Sequence, residues 1–204
     1  MGIISSSASI TRYKVDGKLE GSVMDVMAER LKKYTITEID EESSDKSVGW
    51  TSFKTPFEPN FEGSSYVIGS LFVFSLRIDK KVIPPKVIQK HFQVAMTRRL
   101  KDSGREFLSR NEKKMVKDQV INVLSLRIPS TPNVYDLIWN YEEGVIWFFT
   151  NLKSANEELE TFFSRTFRLT IIRLFPYTMA ELTGELTSAE KDTLSKLNPT
   201  LFTE

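Results

Sequence analysis

The chain has 204 residues, 40% hydrophobic and 11% aromatic, with 28 basic and 27 acidic side chains. That is enough apolar material for one large domain or two small ones, and it excludes global disorder. The sequence has no cysteine, which excludes disulfides and thiolate metal sites and makes a reducing cytoplasm the expected home, and no apolar run approaches the ~20 residues of a membrane span.

Ile10–Val15 alternates like a strand, and Asp16-Gly17 and Glu20-Gly21-Ser22 punctuate it. Ser22 is placed to cap a helix whose Val23, Val26, Met27 and Leu31 share one face. Asp25 suits the first turn of that helix, and Lys32-Lys33 suit its C-terminal end. Glu38–Ser47, acidic and serine-rich, reads as a solvated loop, and Val48–Phe53 as a short strand. Thr55–Ser65 carries Pro56, Pro59, Asn60 and Gly63 and reads as a loop. Tyr66–Ile78 is the strongest strand, too apolar at its centre to have one wet face.

Pro84-Pro85 then opens a helix with an apolar stripe of Ile88, Phe92, Ala95, Met96 and Leu100. Ser103-Gly104 breaks it. Ser109 and Glu112 have capping-box spacing for a second helix, and Met115, Val116, Val120, Val123 and Leu124 are expected on its inner face. Val134–Asn140 and Val145–Asn151 read as a hairpin joined by Tyr141-Glu142-Glu143-Gly144. Ser154 and Glu157 predict a capped helix with Leu159, Phe162 and Phe163 inward. Leu169–Phe175 follows as a strand, and Thr187–Leu197 as a short polar helix. The order is βαββ-αα-ββαβ, which is α+β, with mixed or antiparallel sheets flanking a central basic helical segment. The expected segments are 1–78, 79–128 and 129–204, or one continuous domain.

Near-neutral overall charge hides a polarised chain. Residues 77–117 hold thirteen basic and four acidic side chains, +9, against −8 for the remainder. In the second helix Arg110, Lys113, Lys114 and Lys117 fall at i, i+3, i+4 and i+7 and so share a face. Lys86 and Lys90 lie one turn apart in the first helix, Arg98, Arg99 and Lys101 crowd its end, and Arg105 sits at the break. Two readings stay open on charge alone. One is a strip that neutralises regularly spaced phosphates with little sequence preference. The other is a solvated helix face, which most charge runs are.

Bond chemistry has little to draw on. His91 is the single histidine, on or next to the apolar face of the first helix, with no carboxylate near it in sequence. It reads as a partly buried structural residue. One histidine cannot supply two metal ligands. Asp79 and Asp136 stand where a two-metal nuclease would want carboxylates, but neither has an identifiable partner. No phosphate-binding glycine motif is present. No catalytic residue, metal or cofactor is expected. Trp50, Trp139 and Trp147 read as core packing rather than as base-stacking platforms.

Lys80-Lys81-Val82-Ile83-Pro84-Pro85-Lys86-Val87-Ile88, followed by Gly104-Arg105-Glu106-Phe107-Leu108-Ser109-Arg110-Asn111-Glu112-Lys113-Lys114-Met115-Val116-Lys117-Asp118-Gln119-Val120, resembles the recombination-associated RdgC family. Trp139–Ile146 is similar to that family's hairpin, Ser154–Phe167 to the amphipathic helix after it, and Gly49-Trp50 to a "G-W" in its first half. The likeness spans roughly residues 8–180. It implies a non-enzymatic protein that binds double-stranded DNA without sequence preference, forms a homodimer and restrains a RecA-type recombinase. Such a protein would be cytoplasmic and nucleoid-associated. On the DNA reading, the expected contacts are the cations of the basic helices and the break between them: Lys86, Lys90, Arg98, Arg99, Lys101, Arg105, Arg110, Lys113, Lys114 and Lys117. The family pattern runs further at its C-terminal end than this chain does. The alternative is therefore a protein-interaction module derived from that family without DNA binding.

Overall fold

Glycines, prolines and capping side chains set several of the element boundaries. The computed structural model describes residues 2–184 and 186–197. It is α+β, with six helices and an antiparallel sheet of seven strands. The strands are β1 (Thr11–Asp16), β2 (Lys46–Thr51), β3 (Val67–Ile68), β4 (Leu71–Lys80), β5 (Thr131–Asn140), β6 (Val145–Phe148) and β7 (Thr170–Leu174). The helices are α1 (Val23–Lys33), α2 (Pro85–Ser103), α3 (Arg110–Ser125), α4 (Lys153–Phe167), α5 (Pro176–Thr183) and α6 (Ser188–Lys196).

Three expectations change. The strand expected over Tyr66–Ile78 is two strands, because Gly69, at φ +63°, turns the chain back between β3 and β4. The order therefore gains a strand there and a helix, α5, after Phe175. Ser154 does not cap α4, which starts one residue earlier. There Leu152 N–H donates to Thr150 Oγ1 (3.2 Å), and Asn156 Nδ2 donates to the Leu152 carbonyl (2.8 Å).

The chain divides into two compact units, each drawn from separate stretches. The first comprises Met1–Lys32, Phe61–Phe74 and Tyr135–Glu204. In it β6 pairs with β5 (Leu137↔Phe148) and with β1 (Tyr13↔Ile146), and β1 pairs with β7 (Val15↔Ile171). α4 supplies Leu159, Phe162, Phe163 and Phe167 to the core. Trp139 sits among these rings, 5.1 Å from Phe163 and 5.3 Å from Phe167 between centroids, in edge-on geometry. Phe148 and Phe149 are also buried, and Trp147 is half-buried. Tyr13 is fully buried: its hydroxyl bonds Asn156 Oδ1 (2.6 Å) and lies 3.0 Å from Glu160 Oε1, which Arg173 holds at 2.7 Å. Burial, with the Glu160 charge, pushes the Tyr13 phenol up, so it stays a donor.

The second unit comprises Lys33–Asn60 and Ser75–Val134. Here β2 pairs with β4 from Lys46↔Lys80 to Thr51↔Ser75. The segment before β2 crosses it closely: Ile36 N–H donates to the Trp50 carbonyl (3.0 Å) and Trp50 N–H to the Tyr34 carbonyl (2.9 Å). A Cβ on Gly49 would fall on the Ile36 backbone, so only glycine fits before the fully buried Trp50. Arg77 and Asp79 form a buried bidentate pair at 2.8 and 2.7 Å, with Glu38 at 3.6 Å and the Phe57 ring over the guanidinium. Gly49→Ala is expected to lower stability by about 1–3 kcal/mol, since backbone must move to admit the methyl. Chemical denaturation checks this, and an unchanged midpoint would show that the crossing is loose.

Candidate nucleic-acid interface

The basic segment folds as the helix pair of the second unit. Pro85 starts α2 without a side-chain cap, and Gly104, in the left-handed region at φ +62°, ends it. Ser109 opens α3 with a complete capping box: Ser109 N–H donates to Glu112 Oε2 (2.9 Å) and Glu112 N–H to Ser109 Oγ (3.3 Å). Those bonds hold the Glu112 carboxyl below its usual range, and Arg105, 3.2 Å away, adds to the shift. The stabilisation the box gives is therefore present above the ordinary glutamate range. It is lost as pH falls through the depressed value.

The pair covers itself only in part. No residue of α2 is buried, and its expected stripe of Ile88, Phe92, Ala95, Met96 and Leu100 is half-buried. The inner face of α3 is narrower than its sequence predicts. Val116 and Val120 are half-buried and Leu124 buried, but Met115 is 69% and Val123 44% exposed. His91 is exposed rather than partly buried. With α2 packed against little but α3, it has too few neighbours to cover that side chain.

All ten cations expected to hold phosphates are exposed: Lys86, Lys90, Arg98, Arg99, Lys101, Arg105, Arg110, Lys113, Lys114 and Lys117. Arg110, Lys113, Lys114 and Lys117 lie on continuous helix and therefore share a face. Arg98 pairs loosely with Asp102 at 3.9 Å. Arg98 and Arg99 line one groove with Arg127, which sequence reading passed over because it lies beyond the end of α3. Its position near a helix end, where cations suit the dipole, is the only signal it carries. Arg77 and Lys81, part of the same basic run, are buried and structural.

Lys81 fixes where the pair begins and ends. Its ammonium donates to the carbonyls of Asp40 (3.0 Å), Glu42 (2.8 Å) and Ser125 (2.7 Å), and its own N–H donates to Asp45 O (2.8 Å). Asp40 Oδ1 accepts from Ser130 N–H (2.8 Å) and Oγ (2.6 Å), which holds that carboxyl below its usual range. The acidic loop expected to be only solvated is thus a clamp: it grips the chain before α2 and after α3, and Ile39 within it is buried.

Among the described residues no group of three histidine, aspartate or glutamate side chains is placed to hold a metal ion. No helix among them is long and apolar enough to cross a membrane. No curated protein matches the chain. One family model does, described as "Putative exonuclease, RdgC", and it matches residues 8–183, which run from before β1 to the end of α5 and take in the helix pair, its clamp and both units. With that much of its length matched, the chain belongs to the RdgC family.

Proposed function

We propose that this RdgC-family chain binds double-stranded DNA without sequence preference through the exposed cations of α2 and α3. By occupying DNA it would restrain a RecA-type recombinase during homologous recombination, as a cytoplasmic, nucleoid-associated homodimer. The observation that carries the reading is the placement of the charge. Arg110, Lys113 and Lys114 stand in the first turn and a half of α3, where cations oppose the helix dipole, and its last turn has no basic residue. The first turn of α2 has no acid. This arrangement weakens α3 as an isolated element and suits an external anion. Exposed lysines act as point charges that position a phosphate backbone rather than read a sequence.

If these residues hold phosphates, Lys113→Gln, Lys114→Gln and Lys117→Gln should each weaken binding by a similar factor on any duplex. Each should flatten the plot of log affinity against log salt by about 0.9. Folding should barely change, since exposed helix lysines contribute little to stability. Fluorescence anisotropy across a salt series checks this. An unchanged slope in a well-folded triple variant would remove α3 from the DNA surface.

We also infer that the chain does no bond chemistry, although the family description contains the word exonuclease. Supporting this, Asp79 is locked to Arg77, Asp136 accepts from the Ile3 N–H at 2.9 Å, and the single histidine stands exposed on α2. Supercoiled, linear and single-stranded DNA should all survive incubation with magnesium or manganese. Cleavage that one Asp or Glu substitution abolishes would overturn this.

For the homodimer the support is the family. The apolar surplus of Val134–Phe149, which in sequence suggests an association surface, is largely packed inside the first unit, where Trp139, Phe148 and Phe149 are buried. Light scattering is expected to give twice the chain mass. A strict monomer at high micromolar concentration would exclude the dimer and favour an interaction module without DNA binding.

A further inference from the structure

A groove of about 450 Å³ runs along the contact between α2 and α3. Its walls are Ala95, Val116, Val120 and Leu124, and Val94 and Val123 stand at its lip, 63% and 44% exposed. Arg98 and Arg99 from α2 and Arg127 from beyond α3 rim it, against one carboxylate, Asp102. Arg99 and Arg127 have no ion pair among the described residues.

We propose that this groove docks an acidic amphipathic helix of a partner protein, its apolar face on the valines and its carboxylates toward the arginines. Three observations select that occupant. A duplex would reward the arginines but gain nothing from exposed valines, and a phosphate strip has no need of an apolar trough. A second copy docked groove to groove would face three arginines and one aspartate with the same set, a net like charge that opposes the contact. The trough lies between two helices, and its α2 wall, from His91 to Asp102, extends about 17 Å, room for roughly three turns of a third helix. The inference does not rest on the DNA reading. Where Arg98 and Arg99 also hold phosphates, helix and duplex exclude one another.

The test uses the full chain and a dye-labelled synthetic peptide of about 18 residues, with leucines at i, i+3, i+4 and i+7 and glutamates elsewhere. The comparison is an isomer of the same composition whose leucines form no face. Anisotropy in the absence of DNA should show the amphipathic peptide binding at least about tenfold more tightly than the isomer. Val94→Gln with Val123→Gln, and separately Arg99→Gln with Arg127→Gln, should each cost about tenfold or more with unchanged circular dichroism. Should the glutamine pair fail to fold, Val94→Thr with Val123→Thr replaces it and should weaken binding in the same direction. No binding, equal binding of the two isomers, or valine variants that bind as the parent does would overturn the proposal. Sedimentation of the chain alone supplies a further check. A dimer that the valine substitutions convert to monomer would assign the groove to a second copy and overturn it too.

Discussion

The helix pair depends on one buried ammonium. Lys81 is 7% exposed, and its three donors all go to backbone carbonyls. An ammonium buried without partners would carry a desolvation cost of several kcal/mol. Here each proton has an acceptor, and one acceptor closes the C-terminal end of α3, where the helix dipole favours a cation. The four residues from Lys81 to Pro84 lead directly into α2, so the same side chain sets the entry of one helix and the exit of the other. Positions along the two helices follow from that anchor, because neither helix buries enough apolar surface to fix itself. α2 contributes no buried side chain, and α3 only Leu124 and Ser125.

The anchor also explains how a segment this charged remains ordered. Its cations repel each other, and several of them oppose the helix dipole. What offsets this is local: the Ser109–Glu112 capping box, the left-handed Gly104 stop and the Lys81 clamp, each built from hydrogen bonds rather than apolar burial. Such a pair can leave its side chains in solvent, which a surface for an external partner requires. The buried Arg77–Asp79 pair belongs to the same economy, since it places a cation of the basic run inside without leaving either charge unpaired.

Much of this was legible in sequence where the signal is local. Proline at the start of α2, glycine at its end and the Ser109/Glu112 spacing located both helices, and the 3.6-residue period placed Arg110, Lys113, Lys114 and Lys117 on one face. Other features depend on residues far apart in the chain, and no local pattern reports them. Glu38–Ser47 has the composition of a solvated loop, yet its carbonyls meet Lys81 some forty residues later. Val123 carries the period of an inner-face residue but lies at the lip of a groove, because a helix pair with little packed against it cannot cover a full stripe. Gly69 falls inside the run that reads as one strand, Tyr66–Ile78, and its positive φ turns that run into a hairpin. Arg127 had no helical periodicity to draw attention to it.

The distribution of tryptophan gives the molecule a built-in optical label. Of the three, Trp139 and Trp147 lie in the first unit and Trp50 in the second. Trp50 is wholly enclosed next to Gly49, and Trp139 is enclosed among phenylalanine rings. Indole emission shifts to longer wavelength when water reaches the ring, so each unit carries its own reporter of exposure. With Trp139 and Trp147 replaced by phenylalanine, the emission of the remaining indole follows the second unit alone. Comparing its transition with that of the intact chain tells whether the two units come apart in one cooperative step or in two.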